Sequence, residues 1–419
     1  MNRVCLFALV TGLVACTPSL VENEFFIENL MKREPEKFQY FLDHADTLQI
    51  QIIYTQINRD SINRPNFKSF YFRTDSNRYF YPASTVKLPM LLLALEKIKA
   101  LQQQGFKVDK FTPIFHDSAY KGQFSVKMDT TAQYRLPTVA HYGKKILVVS
   151  DNDAYNRLYE FVGQRETNQA FLKKGYLIKL FHRLERPLSP DQNRHTEPVR
   201  FVRNDSVIYR QPMLVNSDSI KPRKRVLKGK GFIKNDTLLV DKPFDFTYKN
   251  DYPLHEQQEI VKAILFPQSV DPQKRFNISA DDRRFVMQYM SQLPTETEWP
   301  PYNKDTTLYD AYCKFLLFGE DNNPMPTSIR IFNKVGDAYG YLIDNAYIVD
   351  FAKGVEFMLS VVINTNTDGI YNDGKYEYKT LGYPFMRNIG QVIYHYELGR
   401  KRKFKPNLAE FRFQYDLPR

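Results

Sequence analysis

Apolar and polar positions alternate along Leu48-Gln-Ile-Gln-Ile-Ile-Tyr54, the period of a strand with one buried face. Phe67 to Phe72 has a similar pattern, and the Asn63-Arg-Pro-Asn66 cluster between them supplies a turn, so the two predict a strand pair. A helical-looking stretch, Val21 to Phe41, precedes them. From Ser84 to Leu101 the period changes: Leu88, Leu91, Leu92, Leu95, Ile98 and Leu101 share one helical face. Pro89 interrupts the early hydrogen bonds of this helix and is expected to kink it. Helical patterns then dominate, at 138–149, 151–162, 167–174, 255–266, 279–293 and 308–318. Strand patterns return at Ile329 to Asn333, Ala346 to Phe351 and Glu356 to Asn364, and a closing helix runs from about Thr380 to Leu398. Both ends of the chain therefore supply strands and the middle supplies helices. The expected fold is α/β of the α+β kind: an antiparallel sheet flanked by helices, with an inserted all-helical domain. The α/β part falls at about 45–105 and 325–400 and the helical part at about 106–324. A cleft between the two is the natural place for a site.

Within the helical part, 205–252 departs from its surroundings. It is basic, punctuated by Gly and Pro, and short-stranded (Thr237-Leu-Leu-Val240, Phe244-Asp-Phe-Thr-Tyr248), and it reads as an insertion that covers the cleft or meets a partner. Its run Lys221-Pro-Arg-Lys-Arg-Val-Leu-Lys-Gly-Lys230 is the densest source of the net charge of +12. Such a run could face nucleic acid or anionic lipid heads. The first residues decide against nucleic acid. Met1 to Arg3 make a short basic start, Cys5 to Ala15 are almost wholly apolar, and the run is too short to span a bilayer. It has the shape of a signal peptide and ends in Leu13-Val14-Ala15-Cys16, which looks like a bacterial lipobox. Residues 1–16 are thus expected to be a lipoprotein leader, with the Cys16 thiol the lipid attachment point and 17–419 the mature domain. An ordinary signal peptide with a chance cysteine is the alternative. The expected location is the bacterial cell envelope, with a membrane partner through the anchor and no nucleic acid; leaflet and oligomeric state stay open.

Composition narrows the chemistry. Hydrophobic residues at 43% and charged residues at 25%, with 28 Tyr and 32 Phe, fit an ordered globular chain with a core. With Cys5 removed and Cys16 lipidated, Cys313 is left alone and no intramolecular disulfide can form. The seven histidines are scattered without HxH, HExxH or CxxC pairing, so no metal or cofactor is expected.

Three short motifs occur in order: Ser84-Thr-Val-Lys87, Ser150-Asp-Asn152 and Lys334-Val-Gly336. Each alone is weak, since Ser118-Ala-Tyr-Lys121 and Lys173-Lys-Gly175 match by chance. Context separates them. Ser84 opens the long apolar helix, where free N–H groups and the positive dipole end help an alkoxide and an oxyanion. Lys87 falls on the same face, and in a desolvated cleft its pKa can drop far enough to serve as a base. By itself the quartet also reads as a helix cap followed by a surface lysine, and Ser150 or Asp151 as the N-cap of the next helix.

As a set the motifs resemble the SxxK, SDN and KTG triplet of class A β-lactamases and penicillin-binding proteins. The resemblance covers most of the mature chain and implies a β-lactamase/transpeptidase-like fold. It implies Ser84 as nucleophile, Lys87 as its base and Ser150 as proton relay to the leaving nitrogen. It also implies that Asn152 holds the substrate amide, that Lys334 supplies positive charge near Ser150 and the substrate carboxylate, that Gly336 lets the strand edge approach the substrate, and that the Asp337 N–H completes an oxyanion hole with that of Ser84. The chain departs from the pattern twice. Val335 replaces the threonine of the third motif, removing a hydroxyl that helps hold a substrate carboxylate. Arg183-Leu-Glu-Arg186 echoes the stretch that precedes the deacylating glutamate of class A enzymes, but Leu188 stands in that glutamate's place; Asp191 and Glu197, with Asn193 nearby, are the candidate stand-ins. The resulting expectation is a serine hydrolase forming an acyl-enzyme with β-lactams or related amides. A cell-wall D,D-peptidase or esterase with the same nucleophile, and a non-catalytic envelope lipoprotein, are the alternatives.

Overall fold

A computed structural model describes residues 25–418. The leader, with Cys5 and Cys16, lies outside the described residues. Helices α1 (Phe26–Lys32) and α2 (Pro35–Asp43) replace the single helix read from the pattern. Proline disfavours helical backbone in the residue before it, and Glu34 sits at φ −127°, ψ 65°, where the chain turns.

The strands of the two chain ends form one five-stranded sheet. Its members are β1 (Gln51–Arg59), β2 (Pro65–Phe72), β3 (Ile329–Ala338), β4 (Tyr341–Asp350) and β5 (Val355–Asn364), in the order β3-β4-β5-β1-β2, all neighbours antiparallel. β1 joins the halves, Gln51 pairing with Val362 on one side and Ile52 with Phe72 on the other. β3 runs further than the apolar pattern suggested: it carries Lys334-Val-Gly336 inside the strand, with Val335 opposite Asp344.

One face of the sheet is covered by α1, α2 and the closing helix. Ile27, Phe38, Phe385 and Ile389 pack there against Ile52, Leu359 and Ile363. On the other face sits the helical part, built around α3 (Lys87–Gln103) with α4 (Val139–Val149), α5 (Asn152–Val162), α6 (Gln164–Lys174), α7 (Leu254–Leu265) and α8 (Ala280–Ser291); the closing helix is α9 (Tyr383–Gly399). From Lys87 to Leu95 α3 is buried on every side, so Met90, Leu93 and Ala94 join the expected face in the core. Each fully buried leucine there contributes about 1.5–3 kcal/mol, which makes α3 a rigid mount for whatever its first turn carries. Pro89 lies in that first turn, where its missing N–H removes no helical bond, and no kink follows.

One expected helix is absent. Residues 308–318 run as turns, with a helical assignment only at Phe315–Phe318 and non-helical backbone at Leu316 and Leu317. Other partners take the segment's backbone groups: Phe315 N and Leu316 N each donate to the Asp344 carboxylate at 3.1 Å, and the Cys313 carbonyl accepts from Asn333 Nδ2 at 2.9 Å. Lys314 Nζ is buried beside them, donating to Met290 O and Asn333 Oδ1 at 2.6 Å each.

The segment 205–252 is ordered into short strands: Ser206–Gln211, Leu227–Lys228, Gly231–Lys234, Leu238–Val240 and Phe244–Asp245. Part of its basic run is spent inside the fold. Arg223 pairs with Asp251 at 2.6 Å, Lys224 donates to Asn77 O, and Lys228 donates to Gln49 and lies near the rings of Tyr79 and Tyr341.

Candidate active site

Ser84 lies in a 3-10 turn, Ala83–Val86, that feeds directly into α3. Two bonds lock the turn, Thr85 N and Thr85 Oγ1 both donating to Pro82 O at 3.1 and 2.7 Å. Ala83 adopts φ +47°, a left-handed backbone that costs an L-residue about 1–2 kcal/mol. The turn presents Ser84 to a cleft of about 930 Å³ that Ser150, Asn152 and Asp337 also line.

Ser150 sits between two helices. It closes α4 at φ +62°, and Asp151 caps α5, its Oδ1 accepting from Ala154 N at 2.7 Å. The capping role therefore belongs to Asp151, which frees the serine hydroxyl. Lys334 Nζ reaches it from β3 at 2.8 Å, and Lys87 Nζ reaches it from α3 at 3.3 Å while also donating to the Ser150 carbonyl. A serine hydroxyl has two acceptor sites and one donor. With both lysines donating to Ser150 Oγ, its proton is left to point elsewhere.

Gly336 explains how β3 comes so close to the Ser84 turn. A Cβ at this position would stand 2.9 Å from Pro82 O, 3.0 Å from Ser84 N and 3.1 Å from Thr85 Cγ2. Any side chain would push the strand edge away from the Ser84 amide.

Electrostatics under the cleft floor follow from burial. Lys87 has no exposed surface, and desolvation, reinforced by the charge of Lys334, holds its ammonium far below the usual lysine range against the pull of Asp151 and Asp337. Desolvation also brings Lys334 down to about 8, although Asp337 and Asp344 favour its charge. Asp337 opens to the cleft, yet the surrounding walls remove enough water to raise its carboxyl, which Glu185 raises further and the two lysines lower. Desolvation raises Cys313 to about 11, so this buried cleft residue is a thiol.

The residues named as stand-ins for a deacylating base lie elsewhere. Asp191 is exposed on a short helix and accepts from Tyr120 Oη at 2.5 Å. Glu197 is fully buried, 2.6 Å from Arg157 Nη1 and 3.4 Å from His116 Nδ1. Neither lines the cleft, and neither does Leu188. The Asn193 side chain binds its own loop, accepting from Arg183 N and donating to the Leu188 and Ser189 carbonyls. The loop instead turns Glu185 into the cleft wall, at φ +50°. Sequence reading passed over Glu185 as part of an echo; nothing in its local pattern separates it from Asp191 or Glu197.

The outer wall comes from the basic segment. The hairpin formed by Gly231–Lys234 and Leu238–Val240 carries Ile233, Asn235 and Asp236 to the cleft, and it is tied by a short parallel pairing to Ile370–Tyr371, whose loop adds Asn372 and Tyr376.

The model of the Beta-lactamase enzyme family matches residues 37–214. The chain is β-lactamase-like over that segment. The matched stretch contains Ser84, Lys87, Ser150, Asn152 and the Arg183–Arg186 loop. Lys334, Gly336 and Asp337 lie beyond it and meet the β-lactamase-like part through the contacts at Ser150 and the Ser84 turn. Among solved structures the chain is similar to a β-lactamase from Sphaerobacter thermophilus (13% identity, covering 88% of this chain and 94% of that one, TM-score 0.46). It is also similar to a class A β-lactamase from Clostridium kluyveri (12%, 85% and 97%, 0.46) and to PBP-A (16%, 88% and 95%, 0.45). No curated protein matches the sequence.

Proposed function

We propose that this protein is a serine hydrolase that forms an acyl-enzyme with β-lactams or related amides. The observation that carries the reading is the convergence of Lys87 and Lys334 on Ser150 Oγ, at 3.3 and 2.8 Å, in the floor of the cleft that Ser84 lines. Burial holds the Lys87 ammonium well below the usual lysine range, and the free amine that this favours can accept a proton.

In this reading Lys87 takes the proton of Ser84 Oγ as that oxygen bonds to the substrate carbonyl carbon. The oxyanion lies between the N–H groups of Ser84 and Asp337, the donors that the close approach of Gly336 allows to meet; one such donor is worth about 2.7–4 kcal/mol. The C–N bond breaks as Ser150 gives its proton to the leaving nitrogen and recovers one from Lys87. Lys334 keeps positive charge beside Ser150, and Asn152 is placed to hold the substrate amide. Water then cleaves the ester, which releases the acyl group and restores Ser84.

The test is intact-mass spectrometry after exposure to a penicillin and to nitrocefin, with Ser84→Ala as control. A transient adduct with nitrocefin turnover is expected if a cleft carboxylate activates water, and a persistent one if none does. No adduct on the wild-type protein would overturn the β-lactam reading. The leader further supports an exported protein, lipid-anchored at Cys16, in the bacterial envelope. Cys16→Ala should move the protein from the detergent to the aqueous phase on partitioning, and an unchanged distribution would remove the anchor.

A further inference from the structure

The chain as a whole is strongly basic, with a net charge of +12. Its catalytic cleft has the opposite character. Glu185, Asp236, Glu320 and Asp337 line it, and among the described residues no lysine or arginine does. Glu320 has Lys379 at 3.5 Å, but Glu185, Asp236 and Asp337 form no ion pair with any described residue. Lys87 and Lys334 lie beneath the floor and are committed to Ser150. Their charge is felt by Asp337 at the floor, and neither forms an ion pair with Glu185 or Asp236 on the outer wall. Aromatic rings complete it: Tyr81, Tyr309, Tyr312, Tyr339, Tyr376 and Tyr383 all face the same space. Tyrosine faces attract cations through the ring quadrupole. Val335 adds an apolar surface and no hydroxyl.

These carboxylates come from separate parts of the chain. Glu185 lies on the loop after α6, Asp236 at the tip of the 231–240 hairpin, and Asp337 on β3. Asp337 and Tyr81 both feel the charge of Glu185, which puts each of them within electrostatic reach of it. Unpaired like charges brought together by independent elements repel one another, and a bound cation would relieve that repulsion.

We propose that the cleft selects acyl donors that carry a cationic group, an ammonium or guanidinium, on the part that meets Glu185 and Asp236, and disfavours donors with an anion there. The proposal rests on the acyl-transfer reading of the same cleft and specifies its substrate class.

Two penicillins of nearly the same shape test it, one with an α-aminobenzyl and one with an α-carboxybenzyl side chain. Adduct formation on the wild type is followed by intact mass, and equilibrium binding of the same pair is measured on Ser84→Ala. The aminobenzyl compound should be preferred by about tenfold or more at low salt, and the preference should shrink at 0.5 M salt on the order expected from screening. The double variant Glu185→Gln, Asp236→Asn, both at exposed loop positions, should bring the ratio close to one. Adducts formed equally from both compounds would overturn the charge preference and leave the acyl-enzyme standing. A binding preference on Ser84→Ala without any wild-type adduct would uphold the preference and overturn β-lactam acylation. No preference in either measurement, with no adduct, would overturn both.

Discussion

Gly336→Ala is the sharpest probe of the site, because one methyl group falls where two backbone segments meet. Its Cβ would lie 2.9 Å from Pro82 O and 3.0 Å from Ser84 N. Both are main-chain atoms in a turn already closed by two bonds to Pro82 O, so neither can rotate away as a flexible side chain would. Carbon–oxygen contacts settle at about 3.3 Å or more, so strand and turn must part by about 0.4 Å. Overpacking of this kind costs about 1–3 kcal/mol of stability. The second effect is on chemistry. Catalytic groups must hold position within about 0.5 Å, and a 1 Å misplacement can cost on the order of 100-fold. A shift of about 0.4 Å uses most of that tolerance, so acylation by a penicillin, read as the growth of the mass adduct with time, should slow by about 5- to 10-fold, which is about 1.0–1.4 kcal/mol in barrier. Thermal unfolding of the same variant separates the two costs. Acylation within about twofold of wild type, with a Tm that has not moved, would refute the claim that this approach builds the site.

The proposed mechanism has Lys87 uncharged and Lys334 charged during acylation, so the rate should follow a bell-shaped pH profile whose falling limb lies near the Lys334 value of about 8. A rate that climbs steadily well above that pH would remove Lys334 from the role given to it. Glu197→Gln should destabilise the fold by about 3–5 kcal/mol, since it breaks a fully buried pair with Arg157. The same change should leave adduct formation and lifetime unaltered, and a lengthened lifetime would return Glu197 to the chemistry. Asp344→Ala takes the acceptor from Phe315 N, Leu316 N and one N–H of Asn333 Nδ2, whose other N–H keeps the Cys313 carbonyl, at roughly 1–3 kcal/mol each. Denaturant unfolding should show a loss of at least about 3 kcal/mol, and a loss below about 1 kcal/mol would mean that these groups find other partners.

Much of this arrangement could be read from the chain. The 2.0 and 3.6 periods located the strands at both ends and the long helix after Ser84, and three motifs spaced across the chain named the residues that meet at Ser150. The segment 308–318 could not be read, because its apolar spacing is helical while its backbone is claimed by Asp344 and Asn333, side chains on strands distant in sequence. The same limit hid Glu185. Its exposure to the cleft depends on a left-handed loop residue and on how Arg183 and Asn193 tie that loop, not on any local spacing. The outer wall escaped for a related reason: a short parallel pairing between 231–232 and 370–371 leaves no periodic trace in either strand.

The pairing of Gln51 with Val362 sets the order in which this molecule can be completed. β1 and β2 emerge early in synthesis but find their inner neighbour only when β5 has been made. Until then Ser84 has its helix but no strand edge, and Ser150 has one lysine where it needs two. Contacts so distant in sequence form late and slowly. A chain released before β5 would therefore be a helical body with an unpaired, aggregation-prone strand edge, without a weakened form of the finished site. That delay keeps Ser84, Ser150 and Lys334 from meeting until the C-terminal strands are in place.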